Sequence, residues 1–206
     1  LAATALVHDR ARGGGLLRIS WRPSITAFAR LLALGLPAAV HVTLEVGVFA
    51  ASTTLAGMLD PISLAAHHVV LDIASVTFMI PLGLSSAGAV RVGQAIGRRE
   101  PVAARDAGWT ALILGAAFMT FAALVFVCVP GGLIGIFTDD PAVVGTAASL
   151  MIIAAAFQLF DGIQGVSAGT MRGAGDTRTP VVCTLIACWV VGLPLGYTLA
   201  FRGGLG

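Results

Sequence analysis

Five apolar runs, at about 31–59, 65–96, 104–130, 142–171 and 180–201, take up most of this 206-residue chain. A bilayer-spanning helix needs roughly 20 apolar residues, and each run is that long or longer. A backbone crossing lipid must satisfy its own hydrogen bonds, so uninterrupted runs of this length read as transmembrane helices. Composition supports this. Hydrophobic residues make up 57% of the chain and charged residues only 11%, against about 25% charged in soluble domains. That excludes a soluble globular domain and a disordered chain, and places the protein in a lipid bilayer. The runs longer than a span imply tilt or extension beyond the hydrocarbon layer. Leu1–Val7 reads as the end of a preceding span, and neither chain end looks like a natural terminus. The expected fold is an all-α, polytopic bundle, cut from a longer protein.

The connectors carry turn chemistry: Asp60-Pro61, then Arg98-Arg99-Glu100-Pro101, then Gly131-Gly132 through Asp139-Asp140-Pro141, then Gly173 through Pro180. Proline after an acidic residue suits a first helical turn, where its missing N–H costs nothing. All twelve basic residues are arginine. Arg10, Arg12, Arg18, Arg22 and Arg30 precede the first span. Arg98, Arg99 and Arg105 follow the second, with Arg91 close by, and Arg172 and Arg178 follow the fourth. The loops after the first and third spans hold none, and only Arg202 falls at the far end. Basic residues on alternate loops put those loops in the cytoplasm, the N-terminal end inside and the C-terminal end outside. Residues 18–30 mix arginine with Ile, Trp and Phe, and read either as a helix on the inner membrane surface or as a basic cytoplasmic loop. With a net charge of +2 and no single arginine stripe, nothing points to nucleic acid.

Polar groups inside the spans are the candidate functional residues. Glu45 stands at the centre of the first span. A carboxylate at that depth costs several kcal/mol unless it is protonated, paired or facing water. Asp161 lies in the fourth, within Phe157-Gln158-Leu159-Phe160-Asp161-Gly162-Ile163-Gln164. At about 1.5 Å per residue, Glu45 is roughly 21 Å and Asp161 roughly 15 Å from the inner end of its helix. Two carboxylates at similar depth can share a sodium ion or a proton. The other reading of each is a hydrogen bond between helices. Gln164 and Phe157 share the face of Asp161, and Gln158 is at its edge. Asp72 reads either as part of an ion site or outer vestibule, or as a structural carboxylate near the interface. His41, one turn before Glu45, is either its partner or a packed hydrogen bonder. His67 and His68 are adjacent and lack metal-ligand spacing, so no metal site is expected beyond a sodium ion at Glu45 and Asp161. Cys128, Cys183 and Cys188 form no CxxC pair and read as small packing residues. Glycine stripes at Gly93/Gly97, Gly165/Gly169/Gly173 and Gly192/Gly196 suit close helix approach. Pro37, Pro81 and Pro194 should bend their helices, with Pro81 the candidate hinge. No GxGxxG, P-loop lysine, GxSxG or HExxH is present, so no cofactor, ATP hydrolysis or enzyme activity is expected.

Several segments, in order and at matching spacing, resemble one family. They are Leu34-Gly35-Leu36-Pro37, Leu44-Glu45-Val46, Ala65 through Asp72, Pro81-Leu82-Gly83-Leu84, Arg91-Val92-Gly93-Gln94-Ala95-Ile96-Gly97, Phe157-Gln158-xx-Asp161-xx-Gln164, Gly169-xx-Arg172-Gly173 and Gly175 through Pro180. The family is MATE, multidrug and toxic compound extrusion. The resemblance implies twelve helices in two six-helix lobes. This chain would supply the end of helix six and helices seven to eleven, with residues 1–30 as the preceding helix end and basic linker and 31–206 as a partial C-terminal lobe. It implies efflux of organic cations or drugs in exchange for sodium or protons across the bacterial inner membrane, together with the missing N-terminal lobe. In the NorM-like branch a helix-seven Glu and a helix-ten Asp bind the cation, which by resemblance are Glu45 and Asp161. Related transporters often carry Tyr where this chain has Phe157, and that departure leaves sodium and proton both open. Rival readings are a lipid-linked oligosaccharide flippase of the same superfamily, a membrane-embedded acid–base enzyme, and a purely structural lobe whose two carboxylates are only hydrogen-bonded. The first would be expected to line its cavity with arginine, and no arginine lies mid-span in this half.

Overall fold

The structure, a computed structural model, describes residues 24–202. The chain divides into two compact units, Leu1–Gly35 and Leu36–Gly206. Of the first, Ser24–Gly35 is described, and from Ile25 it is helical. Five helical stretches of 33, 37, 28, 33 and 24 residues are long and apolar enough to cross a membrane. They are α1 (Ile25–Gly57), α2 (Pro61–Gly97), α3 (Pro101–Cys128), α5 (Pro141–Gly173) and a composite fifth span. A short α4 (Pro130–Ile134) links α3 to α5. The fifth span comprises α6 (Arg178–Thr184), a π-helical segment (Leu185–Gly192) and α7 (Leu193–Phe201). Among the described residues there is no strand. The molecule is an all-α, multi-pass membrane protein.

The helices begin where the connectors said they would. Asp60 caps α2, its Oδ1 accepting from the Ile62 and Ser63 amides at 2.8 and 2.9 Å, with Pro61 next. Asp140 caps α5 through the Ala142 amide at 2.9 Å, followed by Pro141. Asp176 accepts from the Arg178 and Thr179 amides at the start of α6, both at 3.1 Å. Two helices end in the same motif. The Glu100 amide reaches back to the Ala95 carbonyl at 3.0 Å, and the Asp176 amide to that of Met171 at 2.9 Å. The residue turning each corner is left-handed: Arg99 at φ 60° and Gly175 at φ 86°.

Packing between helices is close and uses small residues. Lipid offers no hydrophobic drive for helices to associate, so contact depends on backbones approaching. Gly169 of α5 lies against Ser85 of α2, where an added Cβ would sit 2.5 Å from the Ser85 carbonyl oxygen. Ser85 Oγ donates to the Gly165 carbonyl at 2.8 Å. Gly173 lies equally close to Ala89. These pairs, with Thr77–Gln158 further up, increase together along the chain, so α2 and α5 run parallel. Gly115 against Val166 and Met119 against Gly162 run the other way, so α3 is antiparallel to α5. Towards the other end, Ala66, Val70 and Ile73 pack with Phe126, Ile134, Ala147 and Met151. Large apolar residues such as Val90, Ile113, Leu124 and Phe160 are exposed, as a lipid-solvated surface requires.

Several expectations change. Helix α1 begins at Ile25, so residues 25–30 are helical and not a loop; 18–23 and Leu1–Val7 lie outside the described residues. The glycine-stripe reading holds for Gly165, Gly169 and Gly173, but Gly97 and Gly196 have no neighbour within 4 Å and Gly192 meets only Ala187 of its own span. Helical backbone runs on through Pro37 and Pro81. The departure from α geometry falls just ahead of Pro194, where the Leu193 amide bonds to the Cys188 carbonyl, five residues back. Pro194 cannot donate a bond to the preceding turn, and the π register absorbs that loss.

Candidate functional site

A cavity of about 660 Å³ lies between α1, α5 and the fifth span within the second unit. Glu45, Asp161, Gln164 and Phe157 all line it, together with His67 and Cys188. Helix α1 supplies Glu45 and, one turn earlier, His41. Helix α5 supplies Phe157, Asp161 and Gln164 from one face, because positions four and three residues apart stack along a helix. Helices α1 and α5 touch at this depth. Gln164, one turn from Asp161, directs Nε2 at Glu45 Oε1, at 3.4 Å. Phe157 meets Phe49 of α1 edge-on, ring centroids 6.0 Å apart. Helices α1 and α5 are therefore antiparallel, with the two carboxylates facing one cavity.

His41 is nearly fully buried, 3% exposed. Its Nδ1 lies 3.8 Å from Glu45 Oε2, an approach longer than a hydrogen bond. Its Nε2 lies 3.1 Å from Thr184 Oγ1. The Gln164 amide nitrogen also donates to Thr184 Oγ1, at 3.2 Å. His41 packs against Thr184 beside Glu45 and is not among the residues that line the cavity. Thr184, 1% exposed, is a site residue that the sequence reading missed. Trp189 is another. Its indole donates to the Leu44 carbonyl at 3.1 Å, and Gly47 makes room for the ring, since a Cβ there would lie 3.0 Å from Trp189 Cζ2. A threonine and a tryptophan inside an apolar run carry no signal of their own.

Two residues fall elsewhere. Asp72 is exposed and is not among the residues that line this cavity. Gln158 turns to α2 and donates to Thr77, leaving its buried Oε1 without a partner. Among the described residues, no group of three or more His, Cys, Asp or Glu could hold a metal ion.

Fold and site together define a multi-pass helical membrane protein with two carboxylates lining one cavity. The MatE family model matches residues 37–198, and the chain belongs to the MatE family. It is 43% identical over 206 residues to the multidrug resistance protein NorM of Burkholderia vietnamiensis, covering 98% of this chain and 44% of that protein. It is 44% identical to the probable multidrug resistance protein NorM of Mesorhizobium japonicum, over 99% of this chain and 45% of the relative. The corresponding Brucella suis protein is 42% identical, over 100% and 45%. The chain spans a little under half the length of these curated relatives and is NorM-like along that length.

Proposed function

We propose that this chain forms most of the C-terminal lobe of a secondary multidrug antiporter in a bacterial inner membrane, and that Glu45 and Asp161 are its cation-coupling residues. The single observation carrying this reading is that both carboxylates line one cavity, with Gln164 of the Asp161 face reaching Glu45. Sodium or a proton, moving inward, loads the carboxylates. An organic cation or drug leaves in exchange, through a path completed by the N-terminal lobe. The cation shifts the equilibrium between inward- and outward-facing states only by its difference in affinity for the two. This is transport and not acid–base catalysis: the carboxylates' chemistry is charge neutralisation at mid-membrane, where a lone charge is costly. The names of the relatives support the multidrug cargo. The arginine-bearing turns support an orientation with the N-terminal end cytoplasmic, since α2 and α5 are parallel and end on the same side.

The test is ethidium efflux by the full-length parent in vesicles driven by an imposed sodium or proton gradient, with Glu45→Gln and Asp161→Asn alongside. Both variants are expected to reach the membrane and lose driven efflux, and the gradient that supports the parent names the ion. Parent-like efflux by both variants would overturn the coupling assignment.

A further inference from the structure

Three polar side chains around Glu45, those of His41, Gln164 and Thr184, are joined through one hydroxyl. The Gln164 amide has two hydrogens; one points at Glu45 Oε1 and the other at Thr184 Oγ1. The Thr184 oxygen accepts there, and its own hydrogen is available to the group on its other side. That group is His41 Nε2, at 3.1 Å. A neutral ring accepting at Nε2 carries its proton on Nδ1, the nitrogen facing Glu45. Thr184 therefore organises both neighbours of the carboxylate without touching it. It joins α1 and α5 to the last turn of α6, one residue before the backbone changes from α to π.

We infer that Thr184 is a positioning residue for cation coupling. Its hydroxyl sets the His41 tautomer and the Gln164 amide so that both face Glu45, and ties that arrangement to the start of the π segment. The inference rests on the reading of Glu45 as a coupling residue. Removing the hydroxyl frees the Gln164 amide and the His41 ring to turn away, so Glu45 holds its cation less well while the drug path is untouched. Losing one buried hydrogen bond of this kind is worth about tenfold in an equilibrium constant.

The experiment uses the full-length parent in proteoliposomes with Thr184→Val, Thr184→Ser and Glu45→Gln. It reads the driving-cation concentration for half-maximal ethidium efflux, the half-saturating ethidium concentration and the amount of folded protein. Thr184→Val is expected to need about tenfold more cation at unchanged ethidium half-saturation, and Thr184→Ser to restore the parent value. If Thr184→Val does not fold, Thr184→Ala, which adds no misfitting methyl in place of the hydroxyl, is read the same way. Parent-like cation dependence in the valine or alanine variant would overturn the inference, as would equal impairment of the serine variant, which would assign the effect to the methyl group. Normal efflux by Glu45→Gln would instead sink the coupling reading, so the two failures are distinguishable.

Discussion

At the scale of single residues, the loop carboxylates do structural work that depends on pH. The Asp60 carboxyl is held below its ordinary 3.8, first by the Ser63 hydroxyl and then by the Ser63 amide. Thr179 does the same to Asp176. Each group binds its proton less readily folded than unfolded. The stabilisation is therefore complete above the unfolded value and is lost as pH falls through the lowered folded one. Protection of the Ile62 and Ser63 amides against hydrogen exchange is expected to fall over that acid range. In Asp60→Asn, which caps without titrating, protection should stay flat across it; a parallel fall in the variant would remove Asp60 as the cause. Arg99 offers a second residue-scale prediction. It turns a corner at φ 60° where its counterpart is Gly175. Left-handed geometry costs a non-glycine residue about 1 kcal/mol, so Arg99→Gly should raise stability by about that much in detergent unfolding.

At the scale of elements, the α2–α5 contact is made by backbone. Gly169→Ala places a methyl against the Ser85 backbone and is expected to destabilise by roughly 1–3 kcal/mol. Gly145→Ala, on the same helix with no neighbour within 4 Å, should be neutral or slightly stabilising. Melting temperatures of the full-length variants check the pair, and equal shifts would mean that helix propensity and not packing governs. These glycines were legible in part. Small residues four apart announce a close contact, but not which helix supplies the other side. That is why the Gly165–Gly173 stripe proved a contact and Gly192/Gly196 did not. The fifth span was legible as a span and illegible in its register. In an α-helix Thr184 and Trp189, five apart, point roughly 140° away from each other. The π segment brings both to α1, and a reading at 3.6 residues per turn cannot pair them.

At the scale of the whole molecule, parallel α2 and α5 put the turn at Arg98–Glu100 and the turn at Ala174–Asp176 on one side, with the α4–α5 connection on the other. Cysteines placed at Thr138 and Ala174 in a full-length background without other cysteines test the membrane sidedness. An impermeant maleimide added outside intact cells is expected to label the first and not the second. The reverse pattern would invert the orientation drawn from the arginines.

The solvent, the long apolar runs and the suspect residues were all legible along the chain. Lipid imposes a length on every apolar run and a penalty on every charge within one, and both are visible one residue at a time. Glu45 and Asp161 stood out because nothing local excuses a carboxylate at that depth. Which residues meet was settled only when the helices packed. That packing sent Asp72 to the exterior, turned Gln158 to Thr77, and recruited Thr184 to stand between His41 and Gln164. Those outcomes depend on helix rotation and register, which are set by backbone contacts between segments distant in the chain, and no spacing within one segment records them.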